Sequence, residues 1–138
     1  MRLTLFGYWH SPETPDLPDP AALVDPDWEM WERSEVADYL EQGHVARQFL
    51  GVSRCRICGE VNGSAEFTDG EYLWPSGLAH YVREHAVRLP ERITAHILRR
   101  TAEWEEVEVD ASWWRERAYR ATPQEGPLAV AGPGGRRV

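Results

Sequence analysis

Four residues with metal-binding side chains constrain this chain more than any other feature of its sequence. Cys55 and Cys58 are separated by two residues, and His80 and His85 are separated by four. Two cysteines followed by two histidines supply sulfur and nitrogen donors in the order that a tetrahedral zinc site uses. We therefore predict that Cys55, Cys58, His80 and His85 bind one Zn²⁺ ion.

The residues between the two pairs have the patterns of a knuckle and a β-hairpin. Gly59 follows the second cysteine and permits the positive φ angle that a tight Cys-x-x-Cys turn often needs. Two short β-prone runs, 65–68 and 71–74, flank an Asp-Gly pair at 69–70, which is a strong hairpin signal. The sequence therefore predicts a zinc knuckle followed by a two-stranded hairpin.

The two histidines are expected on one helix. Ser76 is placed to cap a helix that runs to about Leu89, because Pro90 stops it. His80 and His85 lie roughly 140° apart around a regular helix, so they share a face only if the helix tightens or bends locally. Zinc fingers tolerate this spacing, since about three to five residues separate their histidines.

Each pair taken alone has another interpretation. A Cys-x-x-Cys pair can be a redox motif, but that motif opens a helix after a strand, whereas a glycine and a hairpin follow here. Two histidines on a helix are commonly ordinary polar residues, and we expect the same of His10, His44 and His96. Both pairs together, separated by a hairpin, favour zinc over these alternatives.

The knuckle, hairpin and helix resemble a treble-clef or ββα Cys2His2 zinc finger over residues 52–89. The gap between Cys58 and His80 exceeds the roughly twelve residues of DNA-binding fingers, so the resemblance implies the metal site and not DNA reading. More loosely, the chain is similar to an uncharacterised family of small bacterial zinc-binding proteins, and no activity comes with that similarity. The matching segments are Cys55-Arg-Ile-Cys58-Gly59, Asn62-Gly-Ser-Ala-Glu66, Trp74-Pro75, Gly77-Leu78-Ala79-His80-Tyr81 and Val87-Arg88-Leu89-Pro90.

The whole chain predicts an α+β fold, a small single domain over residues 1–121 built around the knuckle, the hairpin and the helix. An acidic, proline-rich arm at 11–26 is expected to lie over the domain, the zinc module occupies 52–89, and 122–138 form a disordered tail. The other expected elements are a strand within 3–9, a helix capped by Asp27 or Ser34 that ends at Gly43, a strand at 45–52, a helix from Pro90 that buries Ile93, Ile97 and Leu98, a half-exposed strand at 106–110, and a helix at 113–119 in which Trp113 and Trp114 divide between core and surface.

Charge is distributed unevenly along the chain. Residues 1–43 carry ten acidic residues and two arginines, whereas residues 44–102 carry eight arginines and six acidic residues. A non-specific nucleic-acid binder is expected to be more basic than this. We therefore expect the partner to be another protein, bound through the acidic, tryptophan-containing surface.

The cysteine count and the N-terminus bear on the compartment. Both cysteines are assigned to the metal, so no disulfide framework remains. The apolar run Arg2-Leu-Thr-Leu-Phe6 is too short for a signal peptide or a membrane span. We expect a cytoplasmic protein that does not enter a membrane.

Three functions follow from the ligand count and the charges. Two thiolates and two imidazoles fill a tetrahedral zinc, so the leading hypothesis is a structural zinc in a protein-interaction module of the immunity or regulatory type. The alternative is a nucleic-acid-binding finger. The third hypothesis is a zinc hydrolase with Glu84 as general base, although three residues separate His80 from the Glu84-His85 pair, whereas the nearest protease motif has two. We name no catalytic residue and expect no enzymatic activity. The arginines of the nucleic-acid alternative are Arg83, Arg88, Arg92, Arg99 and Arg100.

Overall fold

The computed structural model describes residues 1–121, which contain four strands, four α-helices and one 3₁₀ helix. The chain divides into two compact units, Met1–Glu105 and a second that begins at Glu106. The first unit contains a mixed sheet with helices, so the predicted α+β class is confirmed. The elements are β1 (Thr4–Leu5), the 3₁₀ helix (Pro20–Leu23), α1 (Met30–Glu41), β2 (His44–Gln48), β3 (Ala65–Thr68), β4 (Tyr72–Pro75), α2 (Leu78–His85), α3 (Glu91–Glu105) and α4 (Ser112–Ala121).

The sheet has the strand order β1-β4-β3-β2. β1 runs parallel to β4, and the other neighbours are antiparallel. The predicted hairpin is β3–β4, and its turn is fixed by the Asp69 carboxylate, which accepts hydrogen bonds from the amides of Glu71 and Tyr72 at 2.9 and 2.8 Å. Gly70 in this turn has a φ of 95°, as an Asp-Gly hairpin turn requires.

The hydrophobic core lies between the sheet and the first three helices. Trp74 is fully buried at its centre, and its indole N–H donates to the Leu40 carbonyl at 3.1 Å, so this large side chain is buried without an unmet hydrogen bond. The ring of Phe6 stacks on it at 5.6 Å. The largest fully buried side chains are Trp74, Leu40, Leu78, Ile97, Val36, Val82 and Val87.

The acidic, proline-rich arm at 11–26 makes backbone contacts with the segment that follows α2. The Asp25 amide donates to the Ala86 carbonyl, and the Arg88 amide donates to the Leu23 carbonyl, both at 2.9 Å. Pro20 is buried, and Asp19 caps the 3₁₀ helix by accepting from the Ala21 amide. The arm therefore contributes to the first unit through both backbone hydrogen bonds and buried surface.

The predicted caps of two helices are wrong, and for α2 a tertiary contact takes the residue that would have capped it. α1 begins after Glu29, not after Asp27 or Ser34. α2 begins after Gly77, because the Ser76 hydroxyl accepts a hydrogen bond from the Ala65 amide at 3.3 Å. The predicted helix from Pro90 is confirmed as α3, with Ile93 and Ile97 buried.

Two predictions near the C-terminus are also wrong. The segment 106–110 forms no strand within the described residues, and its Val107 and Val109 are 65% and 83% exposed, because alternation of valine and glutamate needs a neighbouring strand to bury its apolar face. The final helix is confirmed as α4, but Trp113 and Trp114 are both exposed rather than divided between core and surface. The predicted tail at 122–138 lies outside the described residues.

Candidate metal centre

The structure brings together the four residues that the sequence singled out. One ligand atom from each of Cys55, Cys58, His80 and His85 lies within 4.8 Å of all the others. The Cys58 sulfur is 3.4 Å from Nε2 of His80, and the two imidazole centroids are 5.0 Å apart. Such a Cys2His2 group, with two sulfur and two nitrogen donors, could hold a metal ion.

The cysteines lie on a tight turn, here called the Cys knuckle (residues 53–63). The Gly59 amide donates to the Cys55 carbonyl, and the Cys55 amide donates to the Glu60 carbonyl, both at 2.9 Å. Gly59 has a φ of 80°, as the sequence predicted. The Ile57 amide lies 3.4 Å from the Cys55 sulfur, so the turn directs a backbone donor toward that atom.

Close packing of two backbones holds the Cys knuckle against the start of α2. The Asn62 side chain donates to the Gly77 carbonyl at 3.0 Å. A Cβ atom at Gly77 would lie 2.3 Å from the Asn62 carbonyl oxygen, and one at Gly63 would lie 2.5 Å from the Ser76 hydroxyl. Only glycine fits this contact, which sets the distance between the two halves of the cluster.

The last turn of α2, which carries His85, closes widely. The Ala86 amide faces the carbonyls of both Val82 and Tyr81, and the Val87 amide donates to the Tyr81 carbonyl at 3.1 Å. The contacts to Tyr81 span five and six residues, more than a regular α-turn, although the Ala86 amide also makes the regular bond to the Val82 carbonyl at 3.2 Å. The sequence predicted that the histidines share a face only if the helix tightens or bends locally, and the left-handed Ala86 ends the helix directly after His85.

The C-terminal end of α2 is fixed by α1. The Arg33 guanidinium donates to the Val82 carbonyl at 2.9 Å and to the Arg83 carbonyl at 2.6 Å. The Arg83 carbonyl is an acceptor that a helix end leaves open, whereas the Val82 carbonyl also accepts from the Ala86 amide. Arg83 in turn pairs with Asp38 at 2.8 Å. These contacts hold the turn that carries His85.

Tyr81 supports the cluster from the core side, and sequence reasoning gave it no role. Its hydroxyl accepts from the Arg56 amide at 2.8 Å, and its ring lies 5.3 Å from that of Trp9. Burial raises the pKa of Tyr81, and so does a hydrogen bond to Cys55. The sequence signal for this role was the helical spacing of Tyr81 from Leu78, three residues earlier, because residues three apart share a helix face and both side chains are buried.

The state of the donor atoms agrees with a metal-binding role. Nε2 of His85 is buried and has no hydrogen-bond partner among residues 1–121, which is unfavourable by about 1–3 kcal/mol unless another group satisfies it. A hydrogen bond from the Glu60 backbone lowers the pKa of the Cys58 thiol, but desolvation and the Cys55 thiol raise it, and the net pKa is above its ordinary value. A cation at this point would satisfy the imidazole nitrogen and favour the thiolate, so the residues present fit a metal ion.

The other candidate residues lie outside the cluster. Glu84 is exposed, and the Cys2His2 group includes no carboxylate from the described part of the chain. His96 is buried elsewhere, where its Nε2 lies 2.7 Å from the Asp69 carboxylate. His10 contacts the Pro15 carbonyl at 3.1 Å. None of these side chains belongs to the Cys2His2 group.

Comparison with protein-family models, with curated proteins and with solved structures finds no match. The resemblance to a zinc finger therefore depends on the four side chains and on the knuckle, hairpin and helix that carry them. Among residues 1–121, no helix is both long enough and apolar enough to cross a membrane.

Proposed function

We propose that this protein is a zinc-stabilised interaction module in which Cys55, Cys58, His80 and His85 hold one structural Zn²⁺ ion. The observation that carries the proposal is the convergence of these four donors within 4.8 Å, with one buried imidazole nitrogen that has no other partner in the described part of the chain. Two thiolates and two neutral imidazoles complete a tetrahedral site and balance the charge of the ion.

A structural role is favoured over a catalytic one by the composition of the group. Catalytic zinc sites keep one position open for water or substrate, whereas four protein donors leave none. The carboxylate nearest in sequence, Glu84, is exposed and is not part of the cluster. We therefore propose that the ion joins the Cys knuckle to α2 and carries out no chemistry.

The proposed partner is another protein, bound at the N-terminal end of α1. Trp31 and Met30 are 57% and 65% exposed there, and Glu29 and Asp27 precede them on the surface. Tryptophan is enriched among the residues that dominate binding energy at protein interfaces. A partner with a basic surface is favoured, because acidic residues outnumber arginines by ten to two over residues 1–43.

Nucleic-acid binding is disfavoured because the arginines proposed for it already have partners. Arg83 pairs with Asp38, and Arg88 pairs with Asp25 at 2.7 Å. These ion pairs reduce the positive charge that a phosphate backbone would meet. The other contacts are Arg92 with the Tyr72 hydroxyl, Arg99 with His96, and Arg100 with Glu71 and Glu103.

Metal analysis tests the proposal directly. The purified protein should contain about one equivalent of zinc, as expected for one complete ligand set. Cys58→Ser should lose it, whereas His44→Ala, at an exposed histidine of β2, should keep it. Folded wild-type protein that takes up no zinc when the ion is supplied would contradict the proposal.

The interaction role is tested separately by affinity capture from the native cell. Wild-type protein should retain a protein partner that the Trp31→Ala variant retains poorly, and nuclease treatment should not release it. Retention that falls steeply with salt and disappears with nuclease would instead support the nucleic-acid alternative.

A further inference from the structure

A cavity of about 400 Å³ lies beside the Cys knuckle and is lined by three parts of the first unit. Trp9, Leu17 and Leu78 form part of its apolar wall, and Arg54 and Arg56 line the side that belongs to the Cys knuckle. Small-ligand sites typically have volumes of about 300–1,000 Å³, mostly apolar walls and a few polar groups. The cavity has the size and composition of such a site.

The two arginines at this cavity form no ion pair within residues 1–121, unlike four other arginines of the first unit. Arg47, Arg83 and Arg88 form ion pairs, whereas no acidic side chain among residues 1–121 lies within ion-pair distance of Arg54 or Arg56. Each of the two donates one hydrogen bond to a backbone carbonyl, Arg54 to Gly59 and Arg56 to His10. A guanidinium group has five N–H donors, so both retain donors for a ligand.

Several of the remaining polar side chains of the wall are already hydrogen-bonded within the protein, whereas the buried Trp9 indole N–H has no partner among residues 1–121. Glu66 is 3% exposed, and its two carboxylate oxygens accept from Arg47 at 2.6 Å and from the Tyr8 hydroxyl. The hydroxyls of Ser11 and Thr14 bond to each other at 2.8 Å. The charged groups of the cavity that form no ion pair within residues 1–121 are therefore the two arginines, and the Trp9 indole N–H adds a neutral donor.

We propose that this cavity binds a small aromatic carboxylate. The ring would contact Trp9 and Leu17, and the carboxylate would accept hydrogen bonds from Arg54 and Arg56. Guanidinium groups bind carboxylates through paired, charge-assisted hydrogen bonds, which are stronger than those between neutral groups. This site goes beyond the proposed interaction role, since it uses neither the Trp31 surface nor the four donor atoms.

The test is a titration of the full-length, metal-containing protein with 2-naphthoate and, in parallel, with the uncharged 2-naphthamide. The Trp9 indole N–H resonance reports on the cavity wall in both titrations. Naphthoate should shift this resonance in a saturable manner and bind at least about tenfold more tightly than naphthamide, because only the carboxylate makes charge-assisted hydrogen bonds.

Charge variants test the role of the arginines. Arg54→Gln and Arg56→Gln should each weaken naphthoate binding by about tenfold. Arg2→Gln removes the same charge away from the cavity and should change the affinity by less than about twofold, because salt screens distant exposed charges.

Three results would overturn the proposal: no saturable binding at millimolar naphthoate, equal affinity for the two probes, or an equal effect of all three charge variants. The comparison of probes uses the wild-type protein alone, so it remains decisive even if a variant does not fold.

Discussion

Metal removal should destabilise the wild-type protein but not a variant that lacks the buried imidazole. The perturbation is chelation, applied to wild type, to His85→Ala and to the matched control His44→Ala. His85 belongs to the Cys2His2 group, and its Nε2 is buried with no hydrogen-bond partner within residues 1–121, whereas His44 is exposed on β2. The comparison therefore separates loss of a ligand from loss of a histidine.

The expected loss of stability on chelation depends on how much of the site is folded without the ion. Zinc contributes about 10–16 kcal/mol in finger peptides that are unfolded without it. Here Leu78, Tyr81 and Val82 are buried and Arg33 holds the end of α2, so the helix does not require the ion to form. Zinc then stabilises the folded protein only by binding to it. This adds about 4 kcal/mol to the free energy of unfolding when the free zinc concentration is a thousand times the dissociation constant.

Chelation should also leave a buried polar atom of the wild type without a partner. Without the ion, the His85 Nε2 is a buried nitrogen with no partner among the residues that the structure describes, which is unfavourable by about 1–3 kcal/mol. Removing this side chain should therefore change the metal-free free energy of unfolding by no more than about 2 kcal/mol, since the relieved penalty offsets part of the lost packing. With zinc present, the same substitution should remove most of the stabilisation that zinc binding provides.

Urea unfolding followed by tryptophan fluorescence is a suitable assay, because Trp74 is fully buried in the core. The unfolding midpoint of wild type and of His44→Ala should fall on chelation, and that of His85→Ala should change little. The reasoning would be refuted if chelation left the wild-type midpoint unchanged, or if His85→Ala lost as much stability in chelator as in zinc.

Three further predictions use other parts of the structure. Glu84→Ala should leave zinc content unchanged by metal analysis and stability within about 0.5 kcal/mol, because this side chain is exposed, and loss of zinc would restore the hydrolase alternative. Burial raises the pKa of Asp69, but hydrogen bonds from Tyr39 and His96 lower it, and the pKa is about 2 overall. The ionised carboxylate therefore contributes about 2 kcal/mol of stability, which is fully present above about pH 4 and should be lost as the pH falls toward 2. Urea midpoints of metal-free protein across this range should show that acid limb in wild type, and an equally steep limb in Asp69→Asn would contradict the assignment. Gly77→Ala should weaken zinc affinity and destabilise by about 1–3 kcal/mol, because its Cβ would lie 2.3 Å from a backbone oxygen. Gly51→Ala, where no atom lies within 4 Å, should be nearly neutral in the same titration and melt.

Features with a strong local signal were predictable from the sequence. The Asp-Gly pair specifies the β3–β4 turn through the φ of Gly70 and the carboxylate of Asp69, both of which act within a few residues. The spacing of the cysteines and histidines likewise identified the side chains that converge. Their role as ligands, and the identity of the ion, stay predictions.

Features that depend on distant partners were not predictable. The Ser76 hydroxyl bonds to the Ala65 amide instead of capping α2, and Arg33 holds the end of that helix from 49 residues away in sequence. The alternating segment 106–110 has the pattern of a strand but no neighbouring strand among the described residues. In each case the outcome depended on whether a distant residue made a tertiary contact, and a short stretch of sequence does not reveal that.

The backbone hydrogen bond between Asp25 and Ala86 places the proline-rich arm one residue beyond His85. The carbonyl that holds the arm therefore belongs to the residue whose left-handed conformation ends α2. If releasing the ion relaxes that wide turn, the arm loses one of its attachment points at the same moment. Protease sensitivity within residues 11–26 would then serve as a reporter of metal occupancy in the intact protein, readable without any probe at the cysteines.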